Sequence, residues 1–335
     1  WMFASTIYVN IVKTVSNIAP VTGSTNGGTV VEVSGSGLLS TPSGGPNDAD
    51  LMIYCVFGTV ETPAYELRDD MVVCKSPSVD ATGTVVLTLR ERRSFDVDYT
   101  DIRNTTTNNA FTYYSPESVT SVQPRSVSSD GGSTLEVQGT GFVAYSSLAA
   151  RLLVTTAAST DSVEINVLAD FVSEEVVTFV VPENPFTDTI AFATVEISNN
   201  GVDFSSSGVL FRYDLRPTLD RIEPTICPIA GGVPLTIHGQ YFVASEPNLI
   251  KCRSGTNPVP QAATYISPTA VQCDCPVSNI GPNSDFLYVS FNGVDYLSNS
   301  LEFVYRSPIA LTGIAPLLGP STGGTLVEVY GLNFE

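Results

Sequence analysis

Apolar and polar residues alternate along this chain in short runs. Val31 and Val33 flank Glu32, Leu135 and Val137 flank Glu136, Leu235 and Ile237 flank Thr236, and Val327 and Val329 flank Glu328. A period of two over a few residues describes a strand with one buried face. Each run lies between a glycine pair and a further glycine: Gly27-Gly28 and Gly35, Gly131-Gly132 and Gly139, Gly231-Gly232 and Gly239, Gly323-Gly324 and Gly331. The pairs permit positive φ and a tight reversal. The closing glycine is expected to end the strand, so that Leu38, Phe142, Phe242 and Phe334 fold back onto a core. Pro20, Pro124, Pro224 and Pro316 precede the pairs at one constant distance. A proline fixes φ and removes a donor, which places it at an edge or a kink.

The unit therefore occurs four times, with its prolines 104, 100 and 92 residues apart. Phe111-Thr112-Tyr113, Phe211-Arg212-Tyr213 and Phe303-Val304-Tyr305 lie at one fixed distance before the next proline, and Ile7-Tyr8-Val9 holds that place before Pro20. These read as last strands that pass straight into the next copy. Runs rich in Val, Thr, Tyr and Phe between Gly, Pro, Asn and Ser turns predict an all-β chain. Repeats of this length are self-sufficient units that touch their neighbours.

The pattern of Pro, paired Gly, alternating strand, Gly and Phe resembles the IPT/TIG family of immunoglobulin-like domains. Ser198-Asn199-Asn200-Gly201-Val202-Asp203-Phe204 and Phe291-Asn292-Gly293-Val294-Asp295-Tyr296 resemble the late hairpin of that family, with its Asn-Gly turn. The first copy departs there and carries a charged, Thr- and Asn-rich insertion, Glu91 to Asn109. The resemblance implies tandem immunoglobulin-like β-sandwiches arranged as an elongated array. Its expected divisions are 1–13 (the end of a preceding domain), 14–115, 116–216, 217–307 and 308–335 (the start of a further one). The array is expected to continue past both ends. Trp1 to Val12 lacks a basic start and a cleavage pattern and does not read as a signal peptide. The junctions Ser115-Pro116, Leu215-Arg216-Pro217 and Ser307-Pro308 are too brief for a flexible coil.

Six cysteines refine the picture. Cys55 and Cys74 in copy one match Cys252 and Cys273 in copy three. The resemblance implies two equivalent disulfides joining neighbouring strands, as in cysteine-bearing IPT domains. Cys227 and Cys275 remain for a third bridge; the rival is a zinc site of Cys227, Cys252, Cys273 and Cys275, whose C-x-C spacing is unlike a zinc knuckle. Oxidised cysteines imply an extracellular or cell-surface protein. Asn104-Thr105-Thr106 is an N-glycosylation acceptor.

The chemistry of catalysis is sparse. His238 is the one histidine and is placed on the outward face of its strand, so no activity is expected. The formal net charge is −19, from 34 acidic and 15 basic side chains. IPT-type domains also occur in Rel-type transcription factors, but a chain this acidic is repelled by nucleic acid. Asn47-Asp48-Ala49-Asp50 and the group Asp96, Asp98 and Asp101 could offer calcium oxygen ligands, with solvated loop acids as the plainer reading. No apolar run in this window reaches the length of a membrane span.

The reading that follows is a structural extracellular repeat protein, a segment of a surface stalk or external filament whose partners are neighbouring copies of similar repeats. The alternative is a receptor or adhesin ectodomain of plexin-like type that grips a protein ligand or a glycan. A weaker one, from family occurrence, is an accessory region of a secreted carbohydrate-active enzyme. Candidate ligand sites are where the copies differ: Thr41 to Asp50, Glu91 to Asn109, and the cysteine-dense third copy.

Overall fold

The computed structural model describes residues 12–39, 51–93, 100–104, 109–186, 189–244 and 249–334. Three β-sandwiches follow one another, and a two-stranded sheet from a fourth copy, Ala310–Ala315 with Glu328–Leu332, follows them. There is no helix among the described residues.

The second copy shows the plan. One sheet runs Ser118–Gln123, Thr134–Thr140, Val176–Val180, Asp170–Ser173; the other runs Ser126–Ser128, Leu210–Asp214, Ala191–Ser198, Ala149–Thr156, Ser159–Leu168. The first strand changes sheets at its proline. Ser118–Gln123 pairs antiparallel with Thr134–Thr140, and beyond Pro124 the short strand Ser126–Ser128 pairs parallel with Leu210–Asp214. Pro20, Pro124, Pro224 and Pro316 all follow cis peptide bonds. Proline suits this crossing point, because it has no N–H to leave unpaired between two ladders.

The alternation seen in sequence becomes the core. Val31, Val33, Leu135, Val137, Leu235 and Ile237 are all fully buried, and each of the three sandwiches has its own apolar cluster. Leu38, Phe142 and Phe242 fold onto those clusters. In the fourth copy Val327, Val329 and Phe334 are exposed instead, because two strands present no facing sheet to bury them.

The glycine after each alternating run does not end its strand. Gly139 pairs with Val119 inside Thr134–Thr140, beside a register shift between Val119 and Ser121. A Cβ there would collide with the Ser118 carbonyl oxygen and the Phe142 ring. The same shift and pairing recur at Gly35, Gly239 and Gly331, so the glycine answers close backbone approach at a bulge. The glycine pairs do take positive φ, from 67° to 87°. Gly131 also lies against Pro182 and Glu183, leaving no room for a side chain.

Cys55 is bonded to Cys74, Cys252 to Cys273 and Cys227 to Cys275. The first two do not join neighbouring strands. Cys55 lies opposite Leu89 in one sheet and Cys74 opposite Val31 in the other, so the bridge crosses the core. By strand register Ala150 and Phe179 hold these two places in the second copy, and both are buried. A small residue facing a large ring fills the space that a disulfide fills elsewhere. With all four cysteines of the third copy in disulfides, no thiolate remains for zinc.

Candidate functional site

The late hairpin of copies two and three carries the same string, Ser-x-Asn-Gly-Val-Asp and then an aromatic. Gly201 and Gly293 turn the chain at φ of 75° and 81°. The Asn200 side-chain oxygen Oδ1 accepts from the backbone N–H groups of Val202 at 3.0 Å and Asp203 at 2.9 Å, and from the Ser198 hydroxyl at 3.1 Å. Asn292 repeats this with Val294 at 3.0 Å, Asp295 at 2.8 Å and the Ser290 hydroxyl at 3.2 Å. Three donors on one oxygen fix the plane of the amide. From the strand behind, the Arg151 guanidinium lies 4.3 Å from the Phe204 ring centre, and Arg253 lies 4.4 Å from that of Tyr296.

The amide so fixed aims its nitrogen at the preceding domain. Asn200 Nδ2 donates to the Thr22 carbonyl at 3.0 Å, and Asn292 Nδ2 donates to the Ser126 carbonyl at 3.1 Å. Thr22 and Ser126 hold the same place in their copies, on the short strand after the cis proline. Each asparagine also donates to the aspartate of its own turn, Asp203 at 2.9 Å and Asp295 at 2.8 Å. In the first joint the Thr29 hydroxyl, just after the glycine pair, donates to the same Asp203 oxygen at 2.6 Å. The chain thus builds one docking contact twice, with Asn200 and Asn292 both buried. Buried amides left without partners would each cost about 1–3 kcal/mol.

Around this shared contact the joints differ. The first is packed with Tyr114 against Tyr145, ring centres 6.2 Å apart. Glu117 from the junction accepts from the Asn199 backbone N–H at 3.4 Å and from Asn199 Nδ2 at 3.3 Å. Burial, against the pull of the Glu117 and Asn199 backbone N–H groups, pushes its carboxyl up to about 7, and Asp203 adds to the rise. In the second joint Phe291 replaces Asn199 and stacks 4.9 Å from Phe242, and Pro217 replaces Glu117. Asp214 stands where Tyr114 fills the first joint. A cavity of about 310 Å³ is left there, lined in part by Ser126, Ser133, Asp214, Arg216, Asn292 and Asp295.

Among the described residues the first copy shows no such turn. Strand register puts Arg90, Glu91, Arg92 and Arg93 where the others have the start of theirs. Arg90 pairs with Glu61 at 2.6 Å and Asp101 at 2.7 Å, and Lys13 with Glu91 at 2.6 Å. Of the remaining expectations, Asp101 is exposed and occupied by Arg90. Ile7-Tyr8-Val9, the loop Thr41 to Asp50, Asp96, Asp98, Thr105 and Thr106 lie outside the described residues, as does the side chain of Asn104, which ends the strand Thr100–Asn104. His238 lies on the outward face of its strand, opposite the buried Leu235 and Ile237, but is half-buried there, with Nε2 3.7 Å from Glu223 on the paired strand. Among the described residues no three His, Cys, Asp or Glu side chains are grouped to hold a metal ion.

Sequence reasoning found the Asn-Gly turn and missed its role. The signal was present: the four residues Asn-Gly-Val-Asp recur unchanged in both copies.

The IPT/TIG domain family model matches residues 14–113, 117–213 and 217–305. Mouse Plexin-B2 is 27% identical over 121 residues, 36% of this chain and 6% of that protein. Rat Plexin-A3 is 24% identical over 135 residues, 40% of this chain and 7% of that protein. This chain thus spans a small part of the length of these relatives. The structure of the full extracellular region of Plexin A4 aligns with 94% of this chain and 26% of its own, at a TM-score of 0.42 and 15% identity. Disulfides in two of the three sandwiches fit an extracellular or cell-surface setting. With three successive matches covering most of its length, the chain belongs to the IPT/TIG domain family.

Proposed function

We propose that this chain is the jointed portion of a plexin-like receptor ectodomain, holding a partner-binding region at set reach and orientation from the cell surface. The observation that carries the reach-setting role is the docking contact made twice by the same turn on the same strand. The receptor assignment is supported by the likeness to Plexin-B2 and Plexin-A3. The function is binding and spacing, not catalysis. Asn104 carries a glycan in this reading.

A second reading is favoured by the same repetition: a contact built of parts that recur in each copy suits a filament of similar repeats. Recovery of the full-length gene product separates the two. A membrane span followed by a cytoplasmic domain, with surface labelling of the native protein, is the expected result. A product with many further IPT/TIG domains and no span, visible as external filaments by electron microscopy, overturns the receptor reading.

A further inference from the structure

Asn200 and Asn292, which seat the joints, are each followed by glycine, as is Asn26. Asparagine is among the heat-labile residues, and before glycine it is at its weakest. With no Cβ in the way, the glycine amide nitrogen attacks the asparagine Cγ, a C–N bond forms, and ammonia leaves. Water then opens the five-membered imide to aspartate or isoaspartate. The only co-reactant is water.

The attack requires the amide to leave its place and turn its Cγ toward the next nitrogen. In the docked joint it cannot. Oδ1 holds three donors and Nδ2 two acceptors, one of them on the neighbouring domain. At the second joint the nucleophile is tied as well, since the Gly293 N–H donates to the Ser290 hydroxyl at 3.0 Å. Asn26 is exposed.

We propose that Asn200 and Asn292 are deamidation sites gated by the joints: closed while the domains are docked, hydrolysed when they part, and unable to dock again once hydrolysed. The product replaces the donor Nδ2 with a carboxylate oxygen. At the first joint that oxygen faces the Thr22 carbonyl and the Asp203 carboxylate, so attraction becomes repulsion. Isoaspartate also lengthens the backbone within the turn. Each joint thereby keeps a chemical record of having opened, and the array loosens irreversibly with age.

Peptide mass mapping of the intact chain held at neutral pH tests this, with the guanidinium-unfolded chain as reference. Local opening limits the reaction, so native Asn200 and Asn292 are expected to hydrolyse at least about tenfold more slowly than in the unfolded chain. Asn292 is the slower of the two, and Asn26, whose side chain is exposed although its Gly27 N–H donates to the Ser24 carbonyl at 2.9 Å, is faster than both in the native chain. Thr29→Val removes the hydroxyl that supports Asp203. Loss of one such bond raises the Asn200 rate about three- to tenfold and leaves Asn292 unchanged. Thr29→Ser keeps the hydroxyl and returns Asn200 to its native rate. Native rates equal to unfolded ones, an Asn200 rate indifferent to Thr29→Val, or a rise at Asn292 matching that at Asn200 would each overturn the proposal.

Discussion

The side-chain nitrogen of Asn200 lies 3.0 Å from the backbone oxygen of Thr22, 178 residues away in sequence and in the preceding domain. Neither residue belongs to a hydrophobic core. The bond exists because the turn around Asn200 fixes the amide before docking, so little freedom is lost when the two domains meet. The same arrangement at Asn292 and Ser126 makes it a device of the repeat rather than a local accident.

The first joint is expected to depend on pH. The Glu117 carboxyl, ordinarily near 4.5, is raised to about 7 in the docked joint, chiefly by burial, with Asp203 nearby. A raised acid binds its proton more tightly when docked. Its contribution to docking is therefore full below about 4.5, falls as pH rises toward 7, and is gone above that. The loss is of order 2 kcal/mol after allowance for solvent contact. Scattering profiles at pH 4.5 and 8 should differ for the native chain and not for Glu117→Gln. Equal profiles for the native chain would contradict the account.

Two equivalent tyrosines should respond oppositely to loss of the hydroxyl. Tyr213 donates to the Pro182 carbonyl at 3.0 Å. The Tyr113 hydroxyl is buried without a partner, and burial pushes it up to about 12. Tyr213→Phe should destabilise its domain by about 0.5–1.5 kcal/mol, while Tyr113→Phe is neutral or stabilising, as removal of an unsatisfied buried group should be. Denaturant midpoints of the two variants decide; equal losses would refute the difference.

Reduction should act on alternate domains. Domains one and three carry core-crossing disulfides, and domain two carries Ala150 and Phe179 in those places. Loss of a native bridge typically costs about 2–5 kcal/mol. Under reductant, hydrogen exchange should quicken at Val31 and Val33 and at Leu235 and Ile237, and stay unchanged at Leu135 and Val137. Uniform acceleration would show that the second domain leans on its neighbours for stability. Phe179→Ala, by contrast, should cost the second domain about 3–5 kcal/mol.

What could be read from the chain follows from the range of the forces involved. Burial of Val31, Val33, Leu135 and Val137 was legible because a pleated strand writes its buried face into every second residue. The glycine pairs were legible because positive φ is a local demand. Gly139 was misjudged as a strand end because its constraint, the Ser118 oxygen, comes from another strand. The crossing of Cys55 to Cys74 was likewise hidden, since matching places in two copies do not say which sheet each strand joins. Asn200 announced a turn but not its target, Thr22, which only the folded pair of domains brings near.

The central claim is that the Asn-Gly turn holds neighbouring domains in a set orientation. Distance distributions between labels on domains one and two, and separately on domains two and three, test it most directly when measured for the native chain and for Asn200→Ala. The account predicts narrow distributions in the native chain, and broadening in Asn200→Ala confined to the first pair. Broad native distributions, or a first pair indifferent to loss of the Asn200 amide, would contradict it.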